Sequence, residues 1–278
     1  MEVIRSVWGG RIQLQELIIA VKGGGEMASA LAWRLYMANI RRIVMLETAM
    51  PLAVRREVAF CEAVYAGSKT VEGVQAVKAA GAEQLHAVWE QGQIAVAVDP
   101  RWEMLRKMRP DVLVDAILAK QNLGTRRHQA PLVIGLGPGF TAGDDVHLVI
   151  ETQRGHDLGR IITVGSAEPD TGLPGPIDGI TADRVLRAPE EGEFRSSCRI
   201  GDWVEKSATV GRVGDTEVAG RIQGVLRGLI RPGTWVSPGL KIGDIDPRGN
   251  VTHCFTISDK ARAIAGSVLE AVLRTYNK

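Results

Sequence analysis

The sequence predicts an α/β fold in which a doubly wound parallel sheet is followed by a small all-β domain and a closing helix. Three observations predict it. Short β-branched runs alternate with helix-spaced stretches as far as Ile150. A glycine-rich turn follows the first of these runs, and beyond Gly165 the chain becomes rich in Gly and Pro and repeats itself. The expected boundaries are 1–165 for a ligand-binding domain, 166–257 for the β domain and 258–278 for a C-terminal helix that packs back on the first domain.

The first element is the run Glu16 to Val21, short and β-branched, as a buried parallel strand requires. Gly23, Gly25 and Ala28 then supply a GxGxxA pattern, in which glycine lets the backbone turn sharply and approach a ligand and Ala28 lets a helix pack close to the strand. From Met27 the positions Ala30, Leu31, Arg34, Leu35 and Ala38 continue at i, i+3, i+4 spacing, so the helix N-terminus points at whatever lies over the glycines. Ile43 to Leu46 reads as the second strand. It ends at Glu47, near the roughly 20-residue offset at which dinucleotide binders hold a ribose. Further strands are expected at Ile94 to Val98, Val112 to Leu118, Leu132 to Leu136 and Leu148 to Ile150, with helical stretches such as Val71 to Trp89 between some of them. The pattern as a whole is Rossmann-like.

In such sheets ligands sit beyond the carboxyl ends of the strands, and those ends are polar in this sequence. One carries Lys120, Asn122 and Thr125, the next Thr141, Asp144 and Asp145, and a third Glu151, Arg154, His156 and Asp157. Arg and Lys beside glycine turns suit a phosphate or carboxylate, and Arg55, after the Pro51 turn, is a further candidate. Asn122, Thr125 and Asp144 equally suit turns and helix caps. No catalytic set and no metal ligands are assigned from the sequence.

In the second domain, Gly192 to Val213 aligns without a gap with Gly224 to Ile245, pairing Arg195 with Arg227, Trp203 with Trp235 and Gly211 with Gly243. Two hairpin units of this kind suit a barrel-sandwich of the biotinyl/lipoyl type, in which each half covers the other. The turn Val213 to Ala219 has no Lys, so a covalent swinging arm is not expected. Ser258 is the expected N-cap of a helix striped by Ile264, Val268, Leu269, Val272 and Leu273.

The 278 residues carry a net charge of +2, which implies no nucleic-acid partner. Charges at Glu2, Arg5, Arg11 and Glu16 interrupt any signal-peptide core, and no apolar run reaches the roughly 18 residues of a membrane span, so a cytoplasmic protein without a membrane partner is expected. Cys61, Cys198 and Cys254 stand far apart, without the spacing of a zinc site or a disulfide framework.

The strings RREVAFCEAVYAG, VDAILAKQNLGT, LVIGLGPGFTAGDDVHLVIETQRGHDLGR, TGLPGPIDG and ISDKARAIAGSVLEA resemble the YqeB-type proteins of the selenium-dependent molybdenum hydroxylase system over most of the chain. Glu26 stands where the family pattern has Asp. The resemblance implies a cytoplasmic accessory protein for maturing molybdenum hydroxylases. Its partners would be the apo-hydroxylase or other maturation proteins, and its ligand the molybdenum cofactor or its cytidine dinucleotide form. A pterin phosphate would sit on Gly23 to Ala28, with Arg154, Lys120 and Arg55 adding charge, and Cys61 would be the candidate selenium-relay thiol. Two alternatives stay open: an NAD-dependent oxidoreductase, supported by GxGxxA with Glu47, and a non-enzymatic assembly scaffold. Homo-oligomer formation is left open.

Overall fold

A computed structural model describes residues 13–277, so the charges at Glu2, Arg5 and Arg11 lie outside the described residues. The described chain forms two compact units. The first comprises 13–51, Phe60–Asp170 and 258–277, and the second Leu52–Ala59 and Thr171–Ile257.

In the first unit β1 (Ile18–Lys22) leads into α1 (Glu26–Met37) and β2 (Arg42–Glu47). There follow α2 (Ala63–Ala66), β3 (Ser68–Val71), β4 (Val74–Ala79), α3 (Leu85–Glu90), β5 (Ile94–Val98), α4 (Met104–Met108) and β6 (Val112–Asp115). Then come β7 (Leu132–Leu136), β8 (Thr141–Ala142), β9 (Leu148–Ile150), β10 (Ile161–Ile162) and β11 (Gly165–Ser166), and α6 (Asp259–Tyr276) completes the unit. Nine strands form one sheet in the order β10-β9-β7-β6-β1-β2-β5-β4-β3. Its strands from β9 to β4 pair in parallel, while β10 and β3 are antiparallel edges. Chain order reverses between β1 and β6, where Lys22 is the register partner of Asp115.

The expected fold class is corrected by this topology. A doubly wound Rossmann-like sheet has helical crossovers on both faces, but here the sheet is mixed and most crossovers are not regular helices. Between β6 and β7 there is only a 3-10 turn at Arg127–Gln129, and α2, α3 and α4 span four, six and five residues. The helix expected over Val71 to Trp89 is a β3–β4 hairpin followed by α3. Glu72 (φ 42°) and Gly73 (φ 82°) make its two-residue turn with both φ positive, the geometry that matches strand twist. Val74 and Ala76 then face inward on alternate positions.

The two long helices, α1 and α6, pack on each other, and α6 also meets β7 and β9. Ser258 caps α6 by accepting from the Ala261 amide at 3.3 Å. On the other sheet face, Ala20, Leu46, Leu113, Val133, Met104 and Leu105 form a buried core.

The second unit contains β12 (Val185–Arg187), β13 (Gly192–Arg195), β14 (Trp203–Val204), β15 (Thr209–Val213), β16 (Thr216–Ala219), β17 (Gly224–Leu229), β18 (Trp235–Val236), β19 (Lys241–Asp246) and α5 (Thr252–Phe255). It holds two separate antiparallel sheets, β12-β19-β17-β14 and β16-β15-β13-β18, and so corrects the expected biotinyl/lipoyl-like barrel-sandwich. Each repeat pairs its outer strands, β13 with β15 and β17 with β19, and sends its middle strand to the other repeat's sheet. The two half-barrel sheets share a core of Phe194, Val204, Val213, Leu226, Val236 and Ile245. Trp203 and Trp235 lie outside that core, exposed, with their indole N–H groups donated to Glu205 and Glu191. A buried Arg184–Asp244 ion pair ties β19 to the segment before β12.

Candidate functional site

The carboxyl ends of β1 and β6 meet where the strand order reverses, the place at which open parallel sheets leave a crevice. Three features are gathered there in the first unit: a glycine turn, the starts of two helices and a buried lysine.

The turn is built by backbone hydrogen bonds. Gly23, in the left-handed region at φ 92°, donates to the Leu46 carbonyl at 2.8 Å. Gly24 donates to Glu47 Oε1 at 2.6 Å and accepts from the Cys61 amide at 2.9 Å. A methyl group at Gly24 would lie 2.9 Å from the Cys61 Cβ, so no larger residue fits without moving that segment. Gly25 is the N-cap of α1 and its Cα faces open space. Ala28 is fully buried in the first turn of α1. Glu47 braces the turn from the end of β2, its second oxygen accepting from the Thr48 amide at 2.9 Å. Burial pushes its carboxyl up from the usual range, against these two backbone donors.

Helix α6 begins beside α1. Ser258 donates to Glu26 Oε1 at 2.7 Å, and Arg154, from the loop after β9, forks onto Asp259 at 2.7 and 2.8 Å. Acidic side chains at both helix starts are thus held by partners, and two helix N-termini stand side by side.

Behind the turn, on the face of Ala20 and Leu113, Lys22 is completely buried. Its Nζ donates to Thr125 Oγ1 at 2.6 Å and to Gln129 Oε1 at 3.3 Å, and sits 3.6 Å from the centre of the Trp102 ring. Thr125 in turn donates to Asp115 Oδ2 at 2.5 Å. Burial lowers the Lys22 amine to about 8, with Asp115 opposing the shift. The Asp115 carboxyl is raised by burial, with the Thr125 hydroxyl, the Ile117 amide and Lys22 working against that.

Of the residues singled out in the sequence, Gly23, Gly25, Glu26, Ala28 and Glu47 meet at the turn, Thr125 belongs to the lysine cluster, and Arg154 reaches the start of α6. The others stand apart. Arg55 falls in the second unit and donates to the His253 and Thr256 carbonyls at 2.7 and 2.9 Å. Lys120 pairs with Asp170 at 2.6 Å, Thr141 lies 3.1 Å from the Ser166 hydroxyl, and His156 is exposed. Asn122 closes its own turn, accepting from the Gly124 and Thr125 amides. Cys61 and Cys254 are both buried.

Sequence reasoning missed Lys22, Asp115, Trp102 and Gln129. A signal existed for the first two, because each is a charge ending an apolar strand, and a charge in such a run must find a partner. Trp102 and Gln129 come from distant loops and carried none.

No protein-family model matches the sequence. Among solved structures, a succinylglutamate desuccinylase/aspartoacylase from Rhodobacter sphaeroides is 26% identical over 23% of this chain and 22% of its own, with a TM-score of 0.21. The apo ectoine utilization protein EutE (DoeB) from Ruegeria pomeroyi is 13% identical over 83% of this chain and 86% of its own, with a TM-score of 0.25. No function is transferred from either. Among the described residues no helix is long and apolar enough to cross a membrane, and no group of three His, Cys, Asp or Glu is arranged to hold a metal ion. The sequence is 48% identical over 256 residues, 92% of this chain, to the "Uncharacterized protein YqeB" of Escherichia coli (strain K12), and it spans 47% of that relative's length.

Proposed function

We propose that the first unit binds a phosphate-bearing ligand over the glycine turn, and that this ligand is the molybdenum cofactor or its cytidine dinucleotide form. In this reading the chain is an accessory factor that holds the cofactor during maturation of a selenium-dependent molybdenum hydroxylase. The observation that carries the phosphate site is Gly25, which leaves open space over its Cα at the start of α1 while α6 begins alongside. These residues fit the phosphate end of such a cofactor. The metal is cargo in this scheme. The 48% identity to a protein named YqeB supports the family resemblance behind the hydroxylase assignment.

A nicotinamide dinucleotide is the weaker ligand. It needs Glu47 to meet a ribose, and both oxygens of Glu47 already accept backbone N–H groups. A selenium relay through Cys61 would need that buried thiol to become exposed.

The test is native mass spectrometry of the full chain purified from a molybdenum-replete host. A retained pterin or pterin-dinucleotide mass is expected for the wild type. It should be lost in Gly25→Val, whose Cβ meets no neighbour within 4 Å and whose branched methyls would fill the space over the turn, at a cost to the N-cap of about 1 kcal/mol. Retention by Gly25→Val would overturn the placement. A wild type that holds no such mass and shows no thermal shift with cytidine or nicotinamide nucleotides would favour the scaffold reading.

A further inference from the structure

A lysine buried in a protein core is ordinarily paired directly with a carboxylate. Lys22 is paired at one remove. Its ammonium donates to the Thr125 hydroxyl, and that hydroxyl donates onward to Asp115, so the chain of donors has one direction. The cluster sits at the ends of β1 and β6, next in sequence to the glycine turn, and is covered by an indole ring whose centre lies 3.6 Å from the ammonium. The cover is Trp102, a partly exposed residue held at φ 56°, a left-handed conformation that bulky side chains rarely adopt.

We propose that Lys22 is a carbonyl-reactive amine that forms an imine with an aldehyde or ketone on a phosphate-bearing ligand once Trp102 is displaced. The phosphate half of this statement rests on the glycine-turn reading above, whereas the amine half does not. Asp115 first takes a proton from the ammonium, relayed through Thr125, and leaves a neutral amine with its lone pair. The nitrogen attacks the carbonyl carbon, and one of its own protons passes to the oxygen, which becomes the hydroxyl of a neutral carbinolamine. Asp115 returns its proton through Thr125, the hydroxyl leaves as water, and a protonated imine remains. Nothing is oxidised or reduced. The lowered amine of Lys22 supports this chemistry, since a useful fraction is unprotonated near neutral pH, and Asp115 is the charged group that faces it.

The full chain is incubated with pyridoxal 5′-phosphate, or with unphosphorylated pyridoxal, reduced with borohydride, and mapped by peptide mass. The expected result is a reduced adduct on Lys22 that forms with a pH midpoint near 8 and is absent from Lys22→Arg. Trp102→Ala should label at least about fivefold faster, as removal of a cover predicts. Pyridoxal 5′-phosphate should label Lys22 about tenfold faster than pyridoxal. Equal rates for the two aldehydes would keep the amine and overturn the phosphate site. If Lys22→Arg does not fold, mapping of the wild type and Trp102→Ala decides. Lys22 left unmodified in both, while exposed lysines react, would overturn the proposal.

Discussion

Lys22→Met tests the buried amine through stability alone. The folded amine titrates at about 8, against an ordinary value of 10.5. Between those two values the unfolded chain keeps a proton that the folded chain has released, so raising the pH favours the folded state. The difference of 2.5 pH units corresponds to about 3.5 kcal/mol in full, since each unit is worth about 1.4 kcal/mol, and the unfolded amine is only half titrated at pH 10.5. The wild type should therefore gain about 3 kcal/mol relative to Lys22→Met as pH rises from 7 to 10.5, with the gain lying above pH 8. Urea unfolding of both proteins across this range, followed by far-UV circular dichroism, measures it, and taking the difference cancels the other alkaline titrations. Parallel stability curves, or a wild type that loses ground with rising pH, would refute the assignment of a lowered amine at this position.

Gly24→Ala should destabilise the protein by about 1 to 3 kcal/mol through contact with Cys61, and Cys61→Gly in the same chain should recover part of the loss. Gly25→Ala, facing open space, should cost no more than about 1 kcal/mol, and calorimetric melting that ranks the two glycines the other way would overturn the packing described for the turn. Ser258→Ala removes the α6 cap and the bond to Glu26, for an expected loss of about 1 kcal/mol by urea unfolding. In the second unit Asp244→Ala strands the buried Arg184 charge and should cost about 3 to 5 kcal/mol, much of it restored by adding Arg184→Met; an Asp244→Ala protein that melts like the wild type would show that the pair contributes nothing.

What the sequence determined by itself was local. The apolar runs that became β1, β2, β5, β7 and β9, the turn at Gly23 to Gly25 and the Ser258 cap depend on neighbouring residues, and neighbouring residues are what a sequence displays. The internal repeat was equally legible, because Trp203 and Trp235 begin equivalent strands, but not the exchange of those strands between the two sheets, which depends on pairing across the whole unit. The mixed character of the large sheet was hidden for a similar reason. Val71 to Trp89 fits a helical spacing, yet the positive φ values available at Glu72 and Gly73 let β3 fold back on β4, and the edge position gives that hairpin a sheet to join. The candidate site shows the same division. Glycines at a strand end could be read from their spacing. That Glu47 braces the turn, that Arg55 belongs to another unit, and that Lys22 reaches Asp115 only through Thr125 beneath Trp102 were decided by tertiary structure, because Gly24 is 23 residues from Glu47, Thr125 is 103 from Lys22 and the acceptors of Arg55 are 198 and 201 away along the chain.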